Sequence, residues 1–206
     1  MGIPVLILGP SGSGKSTSMR NFSEDEMGIF NVAGKPLPFR KKLPKVDNAR
    51  YESIYKVLRD PKKKKYVIDD SQYLMAFESF DHAKETGYGK FTNMALNFRN
   101  LIDFIIRKTP DDCIVYMLHH TELTEDGKLK AKTLGKMLDN QLTVEGLFSI
   151  VLLCQVEGSE HYFITNSDGT NPAKSPMEMF DFKIDNDLKM VDQTIREYYE
   201  FKEDTK

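Results

Sequence analysis

The chain has 206 residues, of which 40% are hydrophobic and 29% charged, and its formal net charge is −2. This composition excludes wholesale disorder, and the length suits a single domain (1–206) with an adequate core. No run of about 18 apolar residues occurs, so we expect no membrane-spanning helix and no membrane partner. The N-terminus reads as a strand rather than a signal peptide. The two cysteines, Cys113 and Cys154, lie in apolar runs, which favours a cytoplasmic location.

The low net charge hides an asymmetry along the chain. Residues 1–66 contain 14 Lys/Arg and 6 Asp/Glu, a balance of +8. Residues 67–206 contain 15 and 25, a balance of −10. A small net charge therefore does not exclude a surface that binds a polyanion such as nucleic acid.

The first third of the chain alternates short apolar runs with polar segments. In chain order, hydrophobic patterns and turn residues predict a strand at 3–9, a helix at 15–22, a strand at 28–33, a loop excursion at 34–50, a short helix that ends near 60, and a strand at 66–69. The loop prediction for 34–50 rests on three prolines and six basic residues.

The remainder begins with helices and ends with hairpins. The predicted elements are a helix at 72–84, a helix at 91–106 with apolar residues at helical spacing, a strand at 113–120, a polar excursion at 121–146 with a hairpin signal at Asp126-Gly127, strands at 148–156 and 161–166, and a C-terminal helix within 190–206. Together these elements predict an α/β fold. Its sheet should be mainly parallel, flanked by helices, with a C-terminal antiparallel extension.

The segment after the first strand matches GxxxxGK[ST], the phosphate-binding loop of P-loop NTPases. Its glycines let backbone N–H groups surround phosphates, its lysine reaches the β- and γ-phosphates, and its first hydroxyl ligates Mg²⁺. A strand before the motif and a helix after it are the context it requires. We therefore predict ATP and Mg²⁺ as cofactors. The nucleotide-binding residues are Gly9, Pro10, Ser11, Gly12, Ser13, Gly14, Lys15, Ser16 and Thr17.

Two aspartates follow the apolar run at 66–68. A magnesium nucleotide requires a carboxylate at the tip of a neighbouring strand, and Asp69 supplies one. We predict Ser16 and Asp69 as the metal-binding pair, with Lys15 and Asp69 in the catalytic centre. Asp70 is placed to orient or deprotonate the attacking water. Helix capping or solvation is the alternative role for these aspartates.

The strand at 113–120 ends in two histidines, His119 and His120. In NTPases that insert a strand between those carrying the phosphate loop and the magnesium carboxylate, its tip often bears a polar group that senses the γ-phosphate. Adjacent side chains point to opposite faces, so we expect only one histidine to face the nucleotide. A packing role for either histidine and a metal-binding role remain open.

Three passages, at 67–75, 134–152 and 171–188, resemble phage-encoded AAA-family ATPases with a RecA-like core. The resemblance implies an ATP-dependent protein that acts on single-stranded DNA in recombination or replication, as a homo-oligomeric ring or filament with other phage proteins as partners. It also implies that Lys174 reaches the γ-phosphate of a neighbouring subunit. The glutamate that RecA-type enzymes place after their second strand is missing from GIFNVAGKPLPF. Either Asp70 takes its place, as the second acid does in AAA+ proteins, or hydrolysis is slow.

Basic residues outside the phosphate loop are candidates for DNA contact. The first group comprises Arg40, Lys41, Lys42, Lys45 and Arg50. The neighbouring aromatic residues Phe39 and Tyr51 are candidates to stack on bases. Lys62–Lys65 are further candidates. The alternative role for each group is a solvated surface that aids solubility, and Lys62–Lys65 are equally suited to protect a strand edge from aggregation. The predicted DNA-binding residues are Arg40, Lys41, Lys42, Lys128, Lys130, Lys132 and Lys136, the last four lying where RecA-like proteins place DNA-binding loops.

Two other functions compete with an ATPase on DNA. A small P-loop kinase would carry an arginine-rich lid, and no such pattern occurs between 107 and 196. A nucleotide-dependent scaffold or loader with little hydrolysis is consistent with the missing glutamate.

Overall fold

The structure is a computed structural model that describes residues 1–85, 87, 89–134 and 142–201. Within these residues the chain forms a mixed α/β fold built on nine strands. The strands are β1 Ile3–Gly9, β2 Gly28–Asn31, β3 Lys45–Asp47, β4 Lys65–Asp69, β5 Ile114–Leu123, β6 Leu129–Ala131, β7 Ile150–Glu157, β8 Glu160–Ile164 and β9 Lys183–Asp185.

The main path of the sheet has the order β3-β2-β4-β5-β1-β7-β8-β9, and β6 pairs with the end of β5. All pairs from β3 to β7 are parallel, and the β7–β8 and β8–β9 pairs are antiparallel. This confirms a mainly parallel sheet with a C-terminal antiparallel extension. Strand β5 lies between β1 and β4, so the ends of these three strands meet at one edge of the sheet.

Four α-helices and two 3-10 helices complete the described elements. The α-helices are α1 Tyr51–Leu58, α2 Tyr73–Asp81, α3 Gly89–Lys108 and α4 Leu188–Tyr198, and the 3-10 helices span Ser16–Asn21 and Val144–Leu147. The apolar stripe predicted for 91–106 is the buried face of α3, confirming that helix. No helix in the described ranges is both long and apolar enough to cross a membrane.

Helices cover both faces of the sheet, so β1 is buried on both sides. Leu6 and Leu8 face a core shared with α1, α2 and α3. Val5 and Ile7 face a second core, which contains residues of α4 and of the 3-10 helix at Ser16–Asn21. A parallel strand covered on both faces requires a continuous apolar sequence, which explains the run IPVLIL.

Several predicted boundaries are wrong. The excursion at 34–50 contains the short edge strand β3, and the excursion at 121–146 contains the end of β5, strand β6 and a 3-10 helix. The C-terminal helix begins before 190 and ends at Tyr198, and residues 202–206 lie outside the described part. The helix expected at 15–22 is a six-residue 3-10 helix. Three-residue strands and short helices carry too few residues for a recognisable period.

Candidate functional site

The phosphate-binding motif follows β1 as a tight loop whose glycines are needed for close contacts. Gly14 has φ +98, and a Cβ there would lie 2.8 Å from His161 Nδ1. At Gly9 a Cβ would lie 2.5 Å from Ser13 Oγ and 2.8 Å from Cys154 O. A side chain at either position would therefore displace the loop from β7 and β8.

Lys15 folds back into this loop. Its Nζ donates hydrogen bonds to the carbonyl oxygens of Gly9 and Pro10, both at 2.8 Å. Burial lowers the pKa of Lys15, and the nearby Cys154, Asp70 and Asp69 partly oppose that shift. Both hydrogen-bond acceptors are neutral carbonyls, so a phosphate oxygen offers this buried cation a stronger partner.

Ser16 and Asp69 meet at the end of β4. Ser16 Oγ donates a 2.8 Å hydrogen bond to Asp69 Oδ1 across 53 positions of the chain. Burial raises the pKa of Asp69 to about 6, although the hydrogen bond from Ser16 opposes it. A hydroxyl and a carboxylate are hard oxygen ligands of the kind that Mg²⁺ prefers. The two predicted metal-binding residues are therefore in contact.

Asp70 lies beside this pair, but its carboxylate is held by Lys35 and His120. It has φ +58, and its side chain accepts from Lys35 Nζ at 2.8 Å and lies 3.3 Å from His120 Nε2. Burial alone would raise the pKa of Asp70, but the hydrogen bonds from His120 and Lys35 lower it to about 2. Such a carboxylate is a weak base. Sequence reasoning missed Lys35, which follows β2 in the segment searched for a catalytic acid.

The two histidines have different environments. His119 is fully buried and contacts Ser71 Oγ at 2.8 Å and the Lys132 carbonyl at 2.7 Å. Burial lowers its pKa to about 4, so it is neutral at physiological pH. His120 is partly exposed and faces Asp70. His120 is thus the histidine that meets the acidic part of the site, whereas His119 is a packed core residue.

The outer side of the loop is held by residues that the sequence did not reveal. Cys154 Sγ donates to the Ser13 carbonyl at 2.8 Å, and His161 Nδ1 lies 2.8 Å from the same oxygen. Asn186 Nδ2 donates to Cys154 Sγ at 3.1 Å. Ser13 Oγ is buried and has no hydrogen-bond partner. These contacts join the loop to β7, to β8 and to the segment before α4.

The first candidate DNA group lies on the loop between β2 and β3. Arg40, Lys41 and Lys42 are exposed there, and Lys41 Nζ donates to the Phe22 carbonyl at 2.9 Å. Tyr51 is partly buried at the start of α1 and packs against the core, so it is not placed to stack on bases in this conformation.

The second group, in the excursion after β5, is largely engaged in ion pairs. Lys128 lies 3.3 Å from Asp126, and Lys130 lies 3.1 Å from Glu122. Lys132 is exposed, and Lys136 lies outside the described residues. Residues 62–65 lie at the opposite end of the sheet, since Lys65 begins the strand that Asp69 ends.

Lys174 is anchored to the sheet through its backbone. Its N–H donates to the Val151 carbonyl at 2.9 Å, and the Val151 N–H donates to its carbonyl at 2.8 Å. Val151 lies three residues before Cys154, or about 10 Å along β7 from the level of the phosphate loop.

The residues fit a magnesium nucleotide that brings ligands of its own. Among residues 1–85, 87, 89–134 and 142–201, no group of three His, Cys, Asp or Glu side chains forms a metal site. Magnesium at phosphate sites usually takes only one or two protein ligands and completes its shell with phosphates and water.

No protein-family model matches the chain, and a search of curated proteins finds no significant match.

Proposed function

We propose that the chain is a P-loop ATPase with a RecA-like core that binds ATP with Mg²⁺. The observation that carries this proposal is the 2.8 Å contact of Ser16 with Asp69 beside Lys15. These residues have the chemistry that a magnesium–triphosphate group requires: an ammonium for the β- and γ-phosphates, and a hydroxyl and a carboxylate for the metal.

Three further features support a phosphate ligand. The buried Ser13 Oγ has no partner, and such groups are costly unless a ligand or water satisfies them. The ammonium of Lys15 is buried and bonded only to carbonyls. Strand β5 lies between β1 and β4, which is the order expected of a RecA-like core whose inserted strand carries a γ-phosphate sensor. His120 at the end of β5 is the residue we assign to that role.

We infer that hydrolysis is slow. A general base is most effective when its pKa lies near the working pH, whereas hydrogen bonds from His120 and Lys35 hold the pKa of Asp70 near 2 against the effect of burial. Asp70 in this state orients Lys35 and His120 beside the phosphate loop more readily than it removes a proton from water. Nucleotide binding, with occasional hydrolysis, is then the main activity of the site.

Single-stranded DNA is the partner we propose, in recombination or replication of phage type. The exposed Arg40, Lys41 and Lys42 support it, since closely spaced cations follow a phosphate backbone. Assembly into a homo-oligomer would bring Lys174 of one subunit to the nucleotide of the next.

Calorimetric titration with ATPγS and Mg²⁺ tests the nucleotide site. We expect micromolar binding by the wild-type protein and at least a 100-fold loss in Lys15→Ala, because a charge-assisted contact to two phosphates is removed. Lys90→Ala, which removes a partly exposed lysine from α3, is the control. Equal affinity in wild type and Lys15→Ala would sink the site assignment.

A small-molecule kinase is the competing enzyme, and the placement of arginine counts against it. The segment from 107 to 196 contains only Arg107 and Arg196. Arg107 pairs with Asp103 on α3, and Arg196 pairs with Asp192 on α4, so neither belongs to a lid over the loop. A phosphate-release assay without any acceptor molecule separates the two enzymes. An ATPase releases phosphate under these conditions, and we expect single-stranded DNA to increase its rate, whereas a kinase requires its acceptor.

A further inference from the structure

The carbonyl oxygen of Ser13 is held from two sides by the antiparallel extension. It accepts from Cys154 Sγ of β7 at 2.8 Å and contacts His161 Nδ1 of β8 at 2.8 Å. The two donors lie 141 and 148 positions away in the chain. Their convergence on a single carbonyl fixes the direction of the Ser13–Gly14 peptide.

A second layer of contacts holds these donors in place. Asn186, between β9 and α4, donates to Cys154 Sγ at 3.1 Å. The Asn186 carbonyl accepts from Arg20 Nη1 at 2.5 Å, and Asn21 Nδ2 donates to Asp187 at 2.6 Å. The extension therefore forms hydrogen bonds with both the phosphate loop and the 3-10 helix that follows it.

This arrangement matters because the peptide has two possible directions. When the Ser13 carbonyl points outward to β7 and β8, the N–H of Gly14 points to the opposite side, toward the interior of the loop. Gly14 has no side chain and φ +98, so its own conformational preference does little to prevent the peptide from turning over. The following helix has only six residues and is of the 3-10 type, so it braces the loop less than a long α-helix would.

We propose that His161 and Cys154 are positioning residues for nucleotide binding, which hold the Ser13 carbonyl outward so that the loop presents its N–H groups to phosphate. This inference rests on the proposed function. Among the described residues, no contact joins the C-terminal extension to Ser16 or Asp69, the predicted magnesium pair. The inference nevertheless gives this extension a direct effect on the affinity for nucleotide.

The test uses pairs of variants that differ in one hydrogen-bond donor. His161→Ala removes the donor, and His161→Asn keeps an N–H near the position of Nδ1. Cys154→Ala removes the thiol, and Cys154→Ser keeps a donor. Cys113→Ala is the matched control, because Cys113 is equally buried but lies at the opposite end of the sheet.

We expect the dissociation constant for ATPγS with Mg²⁺ to rise roughly threefold to tenfold in each Ala variant, the range for one lost hydrogen bond, and more in the double variant. His161→Asn and Cys154→Ser should recover most of the affinity, and Cys113→Ala should leave it unchanged. In steady-state assays the KM should rise while kcat stays nearly constant, because the brace acts on binding alone. The melting temperature of His161→Ala without nucleotide should match wild type, since His161 is exposed.

Two negative outcomes are distinguishable. If the wild-type protein binds no nucleotide, the proposed function fails and the inference fails with it. If wild type binds nucleotide and Lys15→Ala does not, while both Ala variants bind as wild type does, the proposed function stands and the inference is overturned. Equal losses of nucleotide affinity in His161→Ala and His161→Asn would also overturn it, because restoring a hydrogen-bond donor would then have no effect.

Discussion

The two ends of the parallel sheet both contain buried charges, but they satisfy them differently. At the end where the strands begin, Asp192 accepts from Tyr116 at 2.9 Å, Lys65 at 2.7 Å and Arg196 at 2.8 Å. At the end where the strands finish, the hydrogen bonds of Lys15 among the described residues go to two neutral carbonyls, and burial raises the pKa of Asp69 to about 6.

The contrast separates a structural network from a binding site. Lys65 and Arg196 each pair with Asp192, and the Tyr116 hydroxyl donates to the same carboxylate. The adjacent open pocket of about 530 Å³ is lined by four lysines together with acidic residues. Around Lys15, charged groups are buried without full compensation. Buried charges with incomplete pairing are concentrated at functional sites, because a bound ligand can provide the missing opposite charge or hydrogen bond.

The largest effect on stability is expected from breaking the network around Asp192. Asp192→Ala leaves Lys65, Arg196 and the Tyr116 hydroxyl without their shared acceptor, so the free energy of unfolding should fall by about 3–5 kcal/mol. Urea denaturation measures this change. Asp112→Asn, which alters a half-exposed pair with Lys64, should cost at most about 1 kcal/mol.

Nucleotide affinity of the folded Asp192→Ala protein should equal that of wild type, since Asp192 lies at the other end of the sheet. Loss of affinity without loss of stability would contradict the division into two ends.

An intermediate effect is expected at Asp69, and it depends on pH. Burial raises its pKa to about 6, so between about pH 4 and 6 the folded state holds more protons than the unfolded state, and stability falls as pH rises. Asp69→Asn cannot ionise. It should therefore be more stable than wild type by about 1–3 kcal/mol at pH 8 without ligand, with the difference vanishing below about pH 4.

The neighbouring Asp70 is the matched control for Asp69, because it should behave in the opposite way. Despite burial, hydrogen bonds from His120 and Lys35 lower the pKa of Asp70 to about 2, so its contribution to stability is present above about pH 4 and is lost as pH falls toward 2. Asp70→Asn should destabilise the protein at pH 8, and Asn tolerates the positive φ at this position. Unfolding curves of both variants at pH 4 and pH 8 decide the matter, and effects of equal sign at pH 8 would refute this interpretation.

The smallest effects are expected from single basic residues on the surface. Arg40→Ala should weaken binding of a labelled single-stranded oligonucleotide about threefold to tenfold and lower the salt dependence by about one unit. Lys130→Ala should have less effect, because Lys130 already pairs with Glu122. Lys62→Ala, at the opposite end of the sheet, is the control. Fluorescence anisotropy over a series of salt concentrations measures the DNA affinity of all three variants. An equal loss of affinity in Lys62→Ala would contradict the assignment of Arg40 to the DNA-binding surface.

Features encoded in neighbouring residues were predictable from the sequence. The parallel core strands, the loop after β1 and the placement of Asp69 at a strand tip all follow from apolar runs bounded by glycine or aspartate. The order of the sheet also brought Ser16 and Asp69 together as expected. The hairpin predicted at Asp126-Gly127 is also confirmed, since β5 and β6 pair and Gly127 has the positive φ that the turn requires.

Features that depend on distant residues were not predictable. His161 and Asn186 reach the phosphate loop only because β8 and the segment before α4 fold back beside β1. Nothing in their local sequence marks them. Lys35 was missed because an acid was sought in its segment, and its partner Asp70 lies 35 positions away. Which histidine faces Asp70 depended on the register of β5 against β1, which pairs Gly9 with His120.

The central position of β1 has a consequence for biosynthesis. Among the described strands β1 comes first in the chain, yet its two neighbours in the sheet are β5 and β7. Neither pairing can form until residues beyond 114 have been translated, and the pairing with β7 must wait for residues beyond 150. A nascent chain thus carries the whole phosphate-binding motif long before it can form the loop. An apolar β1 that is still unpaired exposes the growing chain to aggregation and makes it a natural client for chaperones.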